Sequence, residues 1–493
     1  MKKISLKGAS ADSIFLAFAK VLTLLFAIIS AKILSTGLSL VEYGTYSQAN
    51  LVNSLGASII MMGLGDALNY FYNKKHEGMD EQTRYRIVNT VFFLELILGV
   101  VFVMLVFLGN GLIMGYFDNP NLKPFLIIVS FIPMLSNSIY FIQILYVSLG
   151  KAKIMSLISI IMMIVRIVMI YYAVYVLKEL ILIYAVIIFL DIINIVANNL
   201  VLAKKKVYIN PFKISQKHIV PILKYGFPMG IYALTNMLTR DIDKLVVARL
   251  EGTEQLAIYT NCSKPLPLDF LVTSFAVVLI PYIVKYVTEK NKGKSVELFS
   301  CYLKVGYYSV WILATLLLIA PETTISFLYD DKYVVGKWIF VLYILDSMIR
   351  FASMHLILTS ANKAKSLMLY SAISLALNFG LNILLYYWIG IIGPAIATTI
   401  VAIVYTFMVV RKTLKTLDVK WLDVFDLKEI GWLIFTIVAM WALMVGLNFL
   451  LCAANVHKYL SMIICMAVFG FSMLAIHFKK IAATLKKLNS FRI

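Results

Sequence analysis

Fourteen stretches of this chain are long and mostly apolar, and they lack the strict polar/apolar alternation of a half-buried strand. They fall at about 11–34, 43–72, 85–109, 124–148, 154–176, 180–203, 219–247, 256–287, 299–320, 335–360, 364–388, 391–411, 429–451 and 457–478. A membrane-spanning helix needs about 20 mostly apolar residues, because the hydrocarbon core is roughly 30 Å thick. Each stretch meets that length, and several are long enough to tilt or to extend into the interface. The pattern predicts an all-α polytopic membrane protein with about 14 transmembrane helices and excludes a β-barrel. The N-terminal MKKISLKGASADS runs straight into the first span with no short apolar region and small-residue cleavage site, so it does not read as a cleaved signal.

Composition agrees. Of 493 residues, 61% are hydrophobic and only 14% are charged, with a mean hydropathy of +0.89. Soluble domains carry about 25% charged residues, so a soluble enzyme or a disulfide scaffold is excluded. Cys262, Cys301, Cys452 and Cys465 are scattered, form no CxxC or metal-ligand spacing, and read as small apolar fillers.

The net charge of +20 looks at first like a signal for an acidic partner. Its distribution says otherwise. Lys and Arg crowd onto alternate connections: Lys74–Lys75 with Arg84 and Arg86, Lys204–Lys205–Lys206, Lys285 to Lys294, Arg411–Lys412 and Lys479–Lys480. The positive-inside rule then places both termini in the cytoplasm. Topology accounts for the global charge, and no nucleic acid partner is implied.

No connection is long enough to hold a catalytic domain, and the longest outside one runs only from Pro321 to about Val334. No nucleotide-binding or hydrolytic motif is present. The chain therefore reads as a transporter or pore rather than an enzyme. It also repeats itself. Ala31-Lys32, Leu34-Ser35-Thr36-Gly37 and Glu42-Tyr43-Gly44-Thr45-Tyr46 recur as Ala248-Arg249, Leu250-Glu251-Gly252-Thr253 and Leu256-Ala257-Ile258-Tyr259. Gly150-Lys151-Ala152-Lys153 recurs as Asn362-Lys363-Ala364-Lys365. The offsets are 213 residues for Tyr46/Tyr259 and 212 for Lys151/Lys363. The expectation is two pseudo-symmetric six-helix lobes, 1–203 and 219–412, joined by a cytoplasmic linker at 204–218. Two further helices and a basic tail follow over 413–493. Same-orientation repeats are related by an axis along the membrane normal, and lobes that rock about a cleft give alternating access.

The stretch from Leu40 to Ala49, the pair Tyr225-Gly226-Phe227-Pro228 and Ile242-Asp243-Lys244-Leu245-Val246-Val247-Ala248-Arg249, Asn378 with Asn382, and Gly393-Pro394-Ala395-Ile396-Ala397-Thr398 carry a family likeness. Over about residues 5–415 the chain resembles the polysaccharide-export branch of the MOP superfamily, the Wzx-type flippases of O-antigen and capsule repeat units. The first half departs from that pattern at span 6, where Asp191, Asn194, Asn198 and Asn199 stand in place of a small-residue stretch. The resemblance implies a flippase that moves undecaprenyl-pyrophosphate-linked oligosaccharide to the outer leaflet. It implies no bound cofactor other than H+ or Na+ as coupling ion, and as partners the lipid-linked glycan, membrane lipids, and polymerase or assembly proteins. A multidrug exporter shares this fold. Flippases for lipid II or teichoic-acid precursors are barely distinguishable at this level.

A charge at the bilayer centre costs roughly 2.5–3.5 kcal/mol, so each must be paired, hydrated or snorkelled. Lys20, Arg166, Lys264 and Arg350 lie within spans and are the candidate lining of a central cationic cleft that attracts pyrophosphate. Two of them have acids at hand: Asp346 one turn before Arg350, and Asp191 on the span after Arg166. Arg240, Asp241, Asp243 and Lys244 form a locally neutral cluster, expected to pair as Arg240–Asp243 and Asp241–Lys244, either as a gate or as a structural network. Asp66, Glu95, Asp191 and Asp269 are candidates for ion coupling. Pro133, Pro228, Pro265 and Pro267 are expected to break helix hydrogen bonding in spans 4, 7 and 8, either as kinks that permit bending or as static curvature, and Gly56, Gly63 and Gly65 to permit close helix contact.

Overall fold

The computed structural model describes residues 6–73, 81–149, 151–204, 207–264, 266, 268–361 and 363–491, with side chains from Leu22 onward apart from a few helical positions. Lys20 lies on a described helix, but its side chain, like Lys74, Lys75, Lys205, Lys206, Pro265 and Pro267, falls outside the described set.

The described residues are all-helical. Each expected span coincides with a helix or a pair of helices: α1 Leu6–Gly37, α2a Leu40–Met61 and α2b Leu64–Asn73, α3 Glu81–Leu108, α4 Lys123–Ser148, α5 Ala152–Tyr172, α6 Leu180–Ala203 and α7 Gln216–Leu250. There follow α8a Gly252–Cys262 and α8b Phe270–Thr288, α9 Lys292–Leu318, α10a Lys337–Ile349 and α10b Leu356–Ser360, α11 Ala364–Ile389, α12 Gly393–Leu417, α13 Leu427–Ala453 and α14 Lys458–Ser490. Among the described residues, 9 helical stretches are long and apolar enough by themselves to cross a membrane. The others fall short for visible reasons: α7 carries its charge cluster, while α8 and α10 are interrupted.

Contacts divide the chain into two compact units, Met1–Ala257 and Ile258–Ile493. In the first, α2 is the organising element. Its N-terminus is closed by a capping box, the Ser39 hydroxyl accepting from the Glu42 amide while Glu42 accepts from the Ser39 amide. Met62 and Gly63 then take positive φ, 36° and 70°, which separates α2a from α2b. A Cβ on Gly63 would lie 2.0 Å from the Gly226 carbonyl oxygen. The glycine thus permits both the left-handed turn and the approach of α7. Tyr70 stacks on Tyr225 (4.6 Å between centroids) one turn further along the same seam.

In the second unit α9 is the central helix, with α8b, α10a, α13 and α14 packed around it. The C-terminal helices α13 and α14 are fastened to α9 by polar contacts. Lys304 pairs with Glu429, and the Tyr308 hydroxyl donates to the same carboxylate (2.8 Å). Lys487 pairs with Glu297 at 2.7 Å. At its solvent end Lys292 bonds Asp418 at 2.5 Å, and this hydrogen bond holds the exposed Asp418 carboxyl below the usual carboxylate range.

The sequence repeat has a local structural counterpart. The Lys151 amide donates to the Tyr146 carbonyl and the Lys363 amide to the Leu358 carbonyl, both at 2.8 Å. Each lysine is the N-cap of the helix that follows, α5 and α11, with similar backbone angles (φ −119°, ψ 27° and φ −98°, ψ 31°).

α4 runs on as a helix through Pro133 and α7 through Pro221 and Pro228, each proline lacking the N–H of a helical bond. One expectation about interruptions is corrected. Span 10, expected as one helix, is broken at Arg350–His355.

Removing the Glu429 carboxylate strands a half-buried Lys304 against α13. We expect Glu429→Ala to destabilise the protein by roughly 3–5 kcal/mol in chemical unfolding of the purified full chain, and the double variant K304M/E429L to recover most of that loss.

Candidate functional site

Among the described residues, Arg166 in the first unit and Arg350 in the second lie within spans and are each held by a carboxylate from elsewhere on the span or its neighbour; Arg240 of α7 is held by the adjacent Asp241. In the first unit Arg166 of α5 pairs with Asp191 of α6. The aspartate side chain is nearly buried, 3% exposed, whereas the guanidinium side chain is 36% exposed. In the second, Nε of Arg350 donates to Asp346 at 3.0 Å, with side-chain exposures of 43% and 13%. The acid therefore sits behind the arginine in both cases. It fixes the guanidinium through part of its planar fork and leaves its other N–H groups unused by the acid.

The surroundings of Arg166 are polar. Tyr46 lies within reach of its charge and is hydrogen-bonded to Asn50. Its ring stacks on Tyr184 (5.6 Å), whose hydroxyl donates to the Tyr46 carbonyl at 3.2 Å. On α6, Asn194 lies one turn beyond Asp191, and its backbone carbonyl (2.8 Å) and side-chain oxygen (2.7 Å) both accept from the Asn198 side-chain amide one turn further on. The departure of span 6 from small residues thus supplies the acid and a buried amide pair.

Arg350 sits where α10 is broken, and the break is built by α9. The Ser353 amide donates to the Tyr302 hydroxyl at 3.0 Å. The Trp311 indole donates to the Met348 carbonyl at 2.8 Å. Gly306 faces Phe351 so closely that a Cβ there would meet its ring at 2.7 Å and its carbonyl oxygen at 3.0 Å. Backbone groups that leave a helix at membrane depth need such partners. The result is a cavity of about 170 Å³, lined by Asp269, Thr273, Arg350, Ser353, His355 and Tyr405 among others. The structure thus brings Asp269, the N-cap of α8b, and Arg350 to one cavity.

The remaining candidates are placed as follows. Lys264 is half-buried in the α8a–α8b interruption, and no ion pair is recorded for it among the described residues. Glu95 is fully buried and accepts the Ser138 hydroxyl on both oxygens (2.8 and 3.0 Å). Asp66 is exposed in the first turn of α2b. In the α7 cluster Lys244 pairs with Asp241 at 2.9 Å, as the spacing predicts. Arg240, however, bonds Asp241 at 3.2 Å rather than Asp243. Asp243 is fully buried and 4.0 Å from Lys244. The i,i+3 direction on this helix carries Asp243 inward while Arg240, 63% exposed, stays outside. Among the described residues, no group of three metal-ligating acids, His or Cys is present.

The family model for "Polysaccharide biosynthesis protein" matches residues 33–337. The chain belongs to this family. Of solved structures, it is similar to a lipid II flippase MurJ in an inward closed conformation (16% identity, 95% of this chain and 99% of that one, TM-score 0.68). It is also similar to an inward-facing multidrug resistance MATE family transporter (13%, 80% and 94%, 0.66). A third is a MOP superfamily transporter from Pyrococcus furiosus (12%, 82% and 94%, 0.60). No curated protein matches by sequence. At these identities the structural likenesses establish the fold: this member of the polysaccharide biosynthesis family is a multi-pass membrane protein with the MurJ/MATE architecture.

Sequence reasoning missed the α10 break because residues 350–355, Arg-Phe-Ala-Ser-Met-His, contain neither Pro nor Gly. The only local hint was Gly306 on a different helix. Tyr302→Phe leaves the half-buried Ser353 amide without its acceptor. We expect a destabilisation of about 1–3 kcal/mol and faster amide exchange confined to the segment around 350–355, read by hydrogen-exchange mass spectrometry.

Proposed function

We propose that the protein is a flippase that carries undecaprenyl-pyrophosphate-linked oligosaccharide repeat units across the bacterial cytoplasmic membrane by alternating access, supplying O-antigen, capsule or another surface polysaccharide. The observation that carries this reading is the pair of carboxylate-backed arginines. A cation wholly consumed by its acid would be structural. Arg166 and Arg350 are instead oriented from behind and left more than a third exposed, the arrangement that suits recognition of a phosphate oxyanion.

No covalent chemistry is required. The barrier to flipping is removal of the sugar-pyrophosphate head from water, and oriented donors along a hydrated path lower it while the prenyl tail stays in lipid. An exporter of cationic drugs would favour acids over presented arginines at these positions. In this reading Glu95, buried with only a hydroxyl donor beside it, is the carboxylate assigned to coupling with H+ or Na+.

Depletion of the protein should make a lipid-linked oligosaccharide accumulate on the inner leaflet. In a complementation assay, Arg166→Gln and Arg350→Gln are each expected to lower export about tenfold or more, the loss of one charge-assisted contact. Arg350→Lys should retain part of it, since it keeps the charge and loses the fork. Full export by both glutamine variants at normal protein levels would defeat the proposal.

A further inference from the structure

A second polar cavity lies far along the second unit from the α10 break, where α9 and α13 begin and α12 and α14 end. It has a volume of about 980 Å³ and is lined by Lys292, Lys304, Lys428, Lys480 and Lys487, with Glu297, Asp423, Asp426 and Glu429 between them. The distribution of Lys and Arg along the chain assigns this end to the cytoplasmic side.

The four acids are already engaged. Glu297 holds Lys487 at 2.7 Å. Glu429 holds Lys304 and accepts from Tyr308. Asp426 accepts from the Glu429 amide at 3.1 Å and Asp423 from the Lys420 amide at 2.7 Å, so both serve as helix caps. Lys292 is bound to Asp418. For Lys428 and Lys480 no ion pair is recorded among the described residues, and both are exposed. With Lys292 neutralised by Asp418 just beyond the lining, Lys428 and Lys480 are the two cations left to meet a ligand, against the two capping carboxylates Asp423 and Asp426; this suits a single phosphodiester and is poorly suited to a polyanion.

From this polar end the same two helices continue as exposed apolar surface. Trp432 (49%) and Phe435 (62%) project from α13, and Leu474 (52%) and Phe478 (67%) from α14. A ligand that fits has an anionic head and acyl tails.

We propose that this cavity is a binding site for an anionic glycerophospholipid of the inner leaflet, its phosphodiester held by Lys428 and Lys480 and its tails lying along α13 and α14. A basic pocket between helices at the cytoplasmic interface is a general way to hold such headgroups. The lipid would bridge α13 and α14 at their polar ends. The proposal concerns a resident lipid and does not depend on which cargo the protein carries.

The test is native mass spectrometry of the purified full chain offered phosphatidylglycerol and phosphatidylcholine in equal amounts. Preferential retention of phosphatidylglycerol is expected. The double variant K428Q/K480Q should reduce that retention about thirty-fold, the effect of two interfacial lysines. The lipid-free unfolding temperature should be unchanged. Ala483→Trp, which fills the cavity from α14, should give the same loss. The control K151Q/K153Q, which removes cytoplasmic-side charge from the other unit, should not. Three results would overturn the proposal: equal retention of the two lipids, an equal loss in the control, or displacement of phosphatidylglycerol by undecaprenyl pyrophosphate at equal concentration. The last would give the site to the cargo.

Discussion

In hydrocarbon, a charge or a free backbone group has no water to fall back on, and the cost of leaving it without a partner is several kcal/mol. The second unit is arranged around that constraint. α9 carries a row of polar and small residues, Tyr302, Lys304, Gly306, Tyr308 and Trp311, and nearly every irregular or charged feature beside it is answered from that row. The Ser353 amide finds Tyr302, the Met348 carbonyl finds Trp311, and Glu429 finds both Lys304 and Tyr308. Gly306 adds no donor but leaves the space in which the unwound segment can lie.

The same constraint explains how arginine can be both tolerated and presented. Asp191 and Asp346 supply the counter-charge that lets Arg166 and Arg350 exist within spans. They do so from the buried side, which keeps the open edge of the guanidinium available. A buried ion pair is weak evidence for stability, and an asymmetric one, with the acid sealed and the base half exposed, is better read as positioning. The α7 cluster combines both arrangements: Arg240 is 63% exposed beside a sealed Asp241, while Lys244 is as buried as that acid.

The interruption of α8 between Cys262 and Phe270 spans Pro265 and Pro267 of the sequence, as local logic predicts; the others followed tertiary logic. Prolines at 133, 221 and 228 sit inside continuous helices, whereas Arg350–His355 unwinds without proline or glycine. In α2 the local and tertiary signals coincide: Gly63 both adopts positive φ and meets Gly226. That coincidence is why the importance of Gly63 was visible from the chain while the break in α10 was not.

Long-range apolar periodicity and its punctuation determined the number and placement of the fourteen helical segments. The all-helical class and the repeated lysine N-caps of α5 and α11 were also legible. These are properties of solvation and of short-range hydrogen bonding, and both are written in contiguous residues. The charges within spans were equally visible, as was the chance that Asp191 and Asp346 would answer two of them. Only the tertiary structure decided which face of each ion pair is sealed, which of two aspartates Arg240 meets, and where a helix can afford to unwind. Those outcomes depend on partners tens of residues away on other helices, and the energy of a buried polar group is set by the partner that reaches it.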